Sequence, residues 1–62
     1  MHINKEVVNF YLIKRRKTYS SLSQEIGITR MTLYNWIKGN ISRERLRIIS
    51  EALDAPEKEL IQ

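Results

Sequence analysis

Lys14, Arg15, Arg16 and Lys17 stand four in a row, a run of charge that attracts phosphate. The same run also suits the carbonyl end of a helix, where the backbone dipole favours cations, and spacing alone leaves both readings open. Further cations follow at Arg30, Lys38, Arg43, Arg45 and Arg47, so residues 1–47 hold ten Lys/Arg against three acids, a net +7. Residues 48–62 reverse the sign, with one Lys against four acids and a net −3. A basic body with an acidic tail points to a polyanion on one face and a different contact at the other end. Catalytic parts are missing: there is no cysteine, the one histidine is His2, no glycine-rich phosphate loop occurs, and no acids cluster outside the tail. A binding protein is expected, not an enzyme, with no cofactor, no metal and no small-molecule ligand.

Sixty-two residues build one small core and leave no room for a second, so residues 1–62 read as a single domain. No apolar run approaches the roughly 18–20 residues of a membrane span, and no signal-peptide pattern opens the chain. A cytoplasmic protein without membrane contact is expected. Two glycines and one proline signal few turns, which makes the class all-α.

Ile3, Val7, Val8, Tyr11 and Leu12 recur at helical steps and predict a first helix over about 4–16. Thr18 is a good N-cap for a second helix carrying Leu22 and Ile26, and Gly27 sits where a left-handed residue stops it. Thr29 caps a third helix over about 30–37 that turns Leu33, Trp36 and Ile37 inward. Only three or four residues separate these two helices, so they cross steeply as a helix-turn-helix over about 18–37. Ser42 caps a fourth helix over 43–53 with Leu46, Ile49, Ser50 and Leu53 inward, and Pro56 starts a short fifth over 57–61. The third helix leaves Arg30, Met31, Tyr34 and Asn35 outside, with Thr29 and Thr32 at its first turn. Exposed Met31 and Tyr34 beside Arg30 are odd for a merely solvated face.

The runs Leu22-Ser23-Gln24-Glu25-Ile26-Gly27-Ile28-Thr29 and Thr32-Leu33-Tyr34-Asn35-Trp36-Ile37-Lys38-Gly39 resemble the phage-repressor and Cro-type (XRE-like, lambda repressor-like) helix-turn-helix family. Leu46, Ile49, Leu53 and Leu60-Ile61 match that family's last two helices, so the resemblance covers nearly the whole chain without insertions. It implies a compact five-helix DNA-binding domain. The matched positions also make physical sense: Ser23 is small where two helices approach, Gly27 frees the turn, and Ile28 and Leu33 plug the angle between helices. Several phage repressors join helix 1 to the end of helix 3 by a buried Arg–Glu pair. The matching positions here are Leu12 and Ile37, both apolar, an exchange that avoids a leftover buried charge.

By the same resemblance, the third helix enters the major groove, and Arg30, Met31, Tyr34 and Asn35 become its base-edge residues. Arginine pairs bidentately with guanine, asparagine with adenine, and a methionine lies on a thymine methyl. Thr18, Tyr19, Thr29, Thr32, Lys38, Asn40, Arg43 and Arg45 become backbone contacts, with Arg45 at a position from which some members reach the minor groove. Tyr19 stands where the family often has glutamine. The implied function is sequence-specific transcriptional regulation by a small Cro-like repressor of phage or mobile-element origin. The implied partner is a near-palindromic duplex, bound by a homodimer at least on DNA, with Leu60 and Ile61 as its interface unless they fold back over the core. Two rivals stand beside this: an antirepressor- or antitoxin-type module binding a partner regulator through the acidic tail, and a basic membrane-surface peptide.

Overall fold

The computed structural model describes residues 1–62 as five helices: α1 (Lys5–Lys14), α2 (Tyr19–Ile26), α3 (Arg30–Lys38), α4 (Arg43–Leu53) and α5 (Glu57–Leu60). The first four begin where a short polar side chain accepts from a free amide of the opening turn. Thr18, Thr29 and Ser42 do this for α2, α3 and α4, as their residue types require. Asn4 does it for α1, accepting from the amides of Glu6 and Val7, and therefore stands outside the helix it was expected to begin. Thr18 is engaged twice, because Ser21 Oγ accepts in return from its amide at 2.8 Å.

α1 also stops early. The chain leaves it through Arg16, a left-handed residue with φ 56°, instead of continuing the helix through that position. Past this turn the basic side chains reach the carboxyl end of α4. Arg15 donates to the carbonyls of Leu53 and Asp54 at 3.0 and 2.8 Å, and Lys17 donates to that of Ala52 at 2.7 Å. Lys17 pairs in addition with Glu25 at 3.0 Å. Half of the cation run therefore closes a helix end, although the helix is α4 and not the one that carries the run.

Between α2 and α3, Gly27 adopts φ 90° and ψ 30°, a conformation a side chain would strain. Its amide and that of Ile28 both donate to the Ser23 carbonyl, at 2.9 and 3.0 Å. Ser23 is buried, and its hydroxyl donates to the Ser20 carbonyl at 2.8 Å, so close helix approach leaves no polar atom unsatisfied. α2 packs on both α3 and α4, while α5 bridges α1 and α4. This is the helix-turn-helix of a small lambda repressor-like fold.

One core runs through the molecule. Val8, Tyr11, Leu12, Leu22, Leu33, Ile37, Leu46, Ile49 and Leu53 are buried in it as their spacing required, Leu12 and Ile37 in the same cluster. Ile26 and Trp36 are only half-buried at its edge. Ile3, Ile41, Ala55 and Leu60 complete it. Ile3 and Ile41 belong to no helix; backbone pairing brings them in. The amide of Ile41 donates to the Met1 carbonyl at 2.8 Å, that of Asn4 to Leu60 at 2.8 Å, and that of Gln62 to His2 at 3.0 Å. Residues ahead of α1 are thus threaded between the loop after α3 and the end of α5, with isolated bridges His2–Asn40 and Ile3–Ile61. Leu60, offered as half of an exposed pairing surface, folds back and is fully buried, while Ile61 packs half-buried against the core. No helix is long and apolar enough to cross a membrane.

Candidate nucleic-acid interface

α3 is amphipathic in the plain sense that Leu33 and Ile37 are buried while Arg30, Met31, Tyr34 and Asn35 are exposed. Arg30 and Tyr34 stand one turn apart on the flank nearest α2, and Met31 and Asn35 stand one turn apart on the outer face. The first turn of α2 props the near flank. Arg30 Nη1 lies 3.5 Å from Ser20 Oγ, and the Tyr34 ring packs on that of Tyr19, with centroids 4.9 Å apart and planes tilted by 30°. Tyr19 is itself anchored, its hydroxyl donating to Asn9 Oδ1 of α1 at 2.8 Å. Burial, aided by any negative charge on Tyr34, pushes the Tyr19 phenol above its ordinary pKa of 10.0. Three helices therefore meet in one Asn9–Tyr19–Tyr34 chain at the edge of the exposed face. Tyr19, expected as a phosphate contact, has its hydroxyl on Asn9 and its ring on Tyr34. Asn9 escapes a sequence reading, because its role exists only once α1 and α2 cross.

The threonines at the helix starts are occupied by capping. Thr29 Oγ1 accepts from the Thr32 amide at 3.1 Å and donates to the Thr32 hydroxyl at 2.9 Å, and Thr18 is closed by Ser21. What these turns still offer an anion is backbone: the leading amides of a helix have no carbonyl one turn back. At the end of α3 and beyond it, Lys38, Asn40, Arg43 and Arg45 are all exposed. The Arg45 guanidinium sits 5.0 Å from the Trp36 ring centroid, which fixes a flexible cation against the end of α3. Asn40 Oδ1 accepts from the amino group of Met1, so its side chain is part of the fastening of the chain's start. The exposed face of α3 thus has the opening turn of α2 along one flank, and cations follow it at Lys38, the last residue of α3, and at Arg43 and Arg45 in the first turn of α4.

A helix-turn-helix presenting such a face defines a class of DNA-binding regulators. The family model of the Cro/C1-type HTH DNA-binding domain matches residues 9–62, and the chain belongs to that family. No curated protein and no solved structure matches it.

Proposed function

We propose that the protein is a sequence-specific transcriptional regulator, a small Cro-like repressor of phage or mobile-element origin, that lays α3 in the major groove of its operator. One observation carries this reading: Arg30, Met31, Tyr34 and Asn35 are exposed together on α3 while its other side is core. Arg30 reads guanine N7 and O6, Asn35 reads adenine N6 and N7, and Met31 and Tyr34 meet base edges between them. The leading amides of α2 and α3, with Lys38, Arg43 and Arg45, hold the phosphates on either side of the groove. Regulation follows from occupancy, by occluding or recruiting polymerase in the cytoplasm of the host cell.

A module this small covers about 600–1,000 Å² of duplex, which favours two copies on a near-palindrome with half-sites about one helical turn apart. With Leu60 in the core, the pairing surface centres on Ile61 and exposed Met1, which share a groove with Pro56 and Lys58. The same burial removes half of the contact that a partner-binding module would have used in the acidic tail.

Selection of bound sequences from a random duplex pool, followed by footprinting of the winner, tests the reading. Enrichment of a two-fold site with equivalent half-sites is expected. Equal retention of all sequences, or none at low salt, rejects it.

A further inference from the structure

Of the large apolar side chains that this protein exposes, two stand one turn apart on α3: Met31, 69% exposed, and Tyr34, 43% exposed. Tyr19 covers one face of the Tyr34 ring, and the rest of the pair is open. They lie between the two hydrogen-bonding side chains of the same face, Arg30 before them and Asn35 after. Tyr34 differs from an ordinary surface tyrosine in being held, its ring packed on Tyr19 at 4.9 Å and Tyr19 tied to Asn9 at 2.8 Å. A free tyrosine on a helix surface loses rotamer freedom when a ligand immobilises it, and packing on Tyr19 removes much of that loss in advance. Met31 is the opposite kind of side chain, unbranched and adaptable, able to close on whatever the rigid ring leaves open. A rigid aromatic wall beside a flexible thioether, set among polar readers, suits a small apolar group in a polar groove. The major groove offers one: the methyl on C5 of a pyrimidine.

We propose that Met31 and Tyr34 form a reader of the pyrimidine 5-methyl group, and that Tyr19, anchored by Asn9, is the positioning residue of that reader. The proposal rests on α3 lying in the major groove and on the thymine-methyl contact expected of Met31, and it adds the Tyr34 ring as the second wall of that contact and Tyr19 as the residue that sets the ring. It also gives Tyr19 a different task from phosphate contact: it acts through Tyr34 and touches no base.

The test uses the full chain and the duplex selected from the random pool. Each thymine is replaced in turn by deoxyuridine, which keeps the base pair and the O4 acceptor and deletes only the methyl. At one position of each half-site, or two, the replacement is expected to weaken binding about fourfold, the value of one buried methyl. Met31→Ala and Tyr34→Ala bring that thymine-to-uracil ratio to about one. Tyr19→Ala lowers the ratio without altering the salt dependence of binding, and Tyr19→Phe, which keeps the ring against Tyr34 but loses the tie to Asn9, restores part of it. Met31 is too exposed for its truncation to endanger the fold, and the deoxyuridine scan needs no variant at all. A second arm places 5-methylcytosine for cytosine at the sensitive position of a duplex carrying a C·G pair there. Recovery assigns the methyl alone; loss with deoxyuridine but no recovery assigns thymine as a whole. Indifference to deoxyuridine at every position overturns the proposal while leaving the DNA-binding reading in place. A ratio untouched by Tyr19→Ala overturns the positioning role, and failure to retain any duplex overturns the reading beneath both.

Discussion

The ammonium of Lys17 donates to the carbonyl oxygen of Ala52 at 2.7 Å, joining the turn after α1 to the last turn of α4. Arg15 does the same for Leu53 and Asp54, so three carbonyls at the negative end of α4 meet cationic donors from the turn that follows α1. Lys17→Met is expected to lower stability by about 1–2 kcal/mol in urea unfolding, since the lost partner is charged and only partly exposed. The salt dependence of DNA binding should be unchanged. A slope shallower by about one contact would instead mean that Lys17 leaves Ala52 for a phosphate on DNA.

Contacts to base edges and to phosphates separate in a binding experiment. Arg30→Ala and Asn35→Ala are each expected to cost roughly 1–3 kcal/mol on the selected duplex and to relax preference at one base pair. Lys38→Ala and Arg43→Ala should weaken binding to all sequences alike and flatten the salt dependence by about one contact each. Arg30→Ala weakening selected and random duplex equally would move Arg30 to the phosphate group of residues.

The turn of the helix-turn-helix depends on backbone freedom more than on packing. A Cβ at Gly27 meets nothing within 4 Å, yet its φ of 90° is one that a side chain strains to adopt. Gly27→Ala is expected to cost about 1 kcal/mol, with Gly27→Asn costing less because asparagine tolerates the left-handed region. Leu33→Ala, at a fully buried position, should cost about 2–5 kcal/mol by opening a cavity, enough to unfold much of so small a chain. Thermal melts of the three variants check the order. Gly27→Ala as damaging as Leu33→Ala would mean that the space around the turn is not open.

Most of the fold is legible in local chemistry. Thr18, Thr29, Ser42 and Gly27 mark helix ends because capping and left-handed backbone are decided within a few residues. The outward set on α3 is legible for a related reason: once Leu33 and Ile37 are inward, period fixes what remains outside. Long-range pairing is not legible. Ile3 and Ile41 enter the core because strand-like contacts join the chain's start to Asn40–Ile41 and to Leu60–Gln62, segments that no periodicity connects. The destination of Lys17 and the link of Asn9 to Tyr34 through Tyr19 likewise depend on how helices cross.

Tyr11 makes stability sensitive to alkali. Its ring is buried, and its hydroxyl donates to Glu59 at 2.8 Å, tying α1 to α5. That hydrogen bond, then burial and the carboxylate's charge, raise the phenol above its ordinary 10.0, with Arg15 opposing them. The fold therefore favours the neutral phenol, and Tyr19, raised by burial, acts in the same direction. A raised acid holds its proton more tightly folded than unfolded. The resulting stabilisation is complete below about pH 10 and is lost as pH climbs through the higher values of the folded state. Urea unfolding should accordingly show a drop in stability above about pH 10 that Tyr11→Phe makes shallower, while near neutrality Tyr11→Phe loses only the contact to Glu59. The absorbance of tyrosinate followed through the same range should show fewer groups ionising above the ordinary value in Tyr11→Phe. An alkaline drop equally steep in Tyr11→Phe would assign it to other groups, and the Tyr11–Glu59 bond would then contribute to stability without its pH dependence.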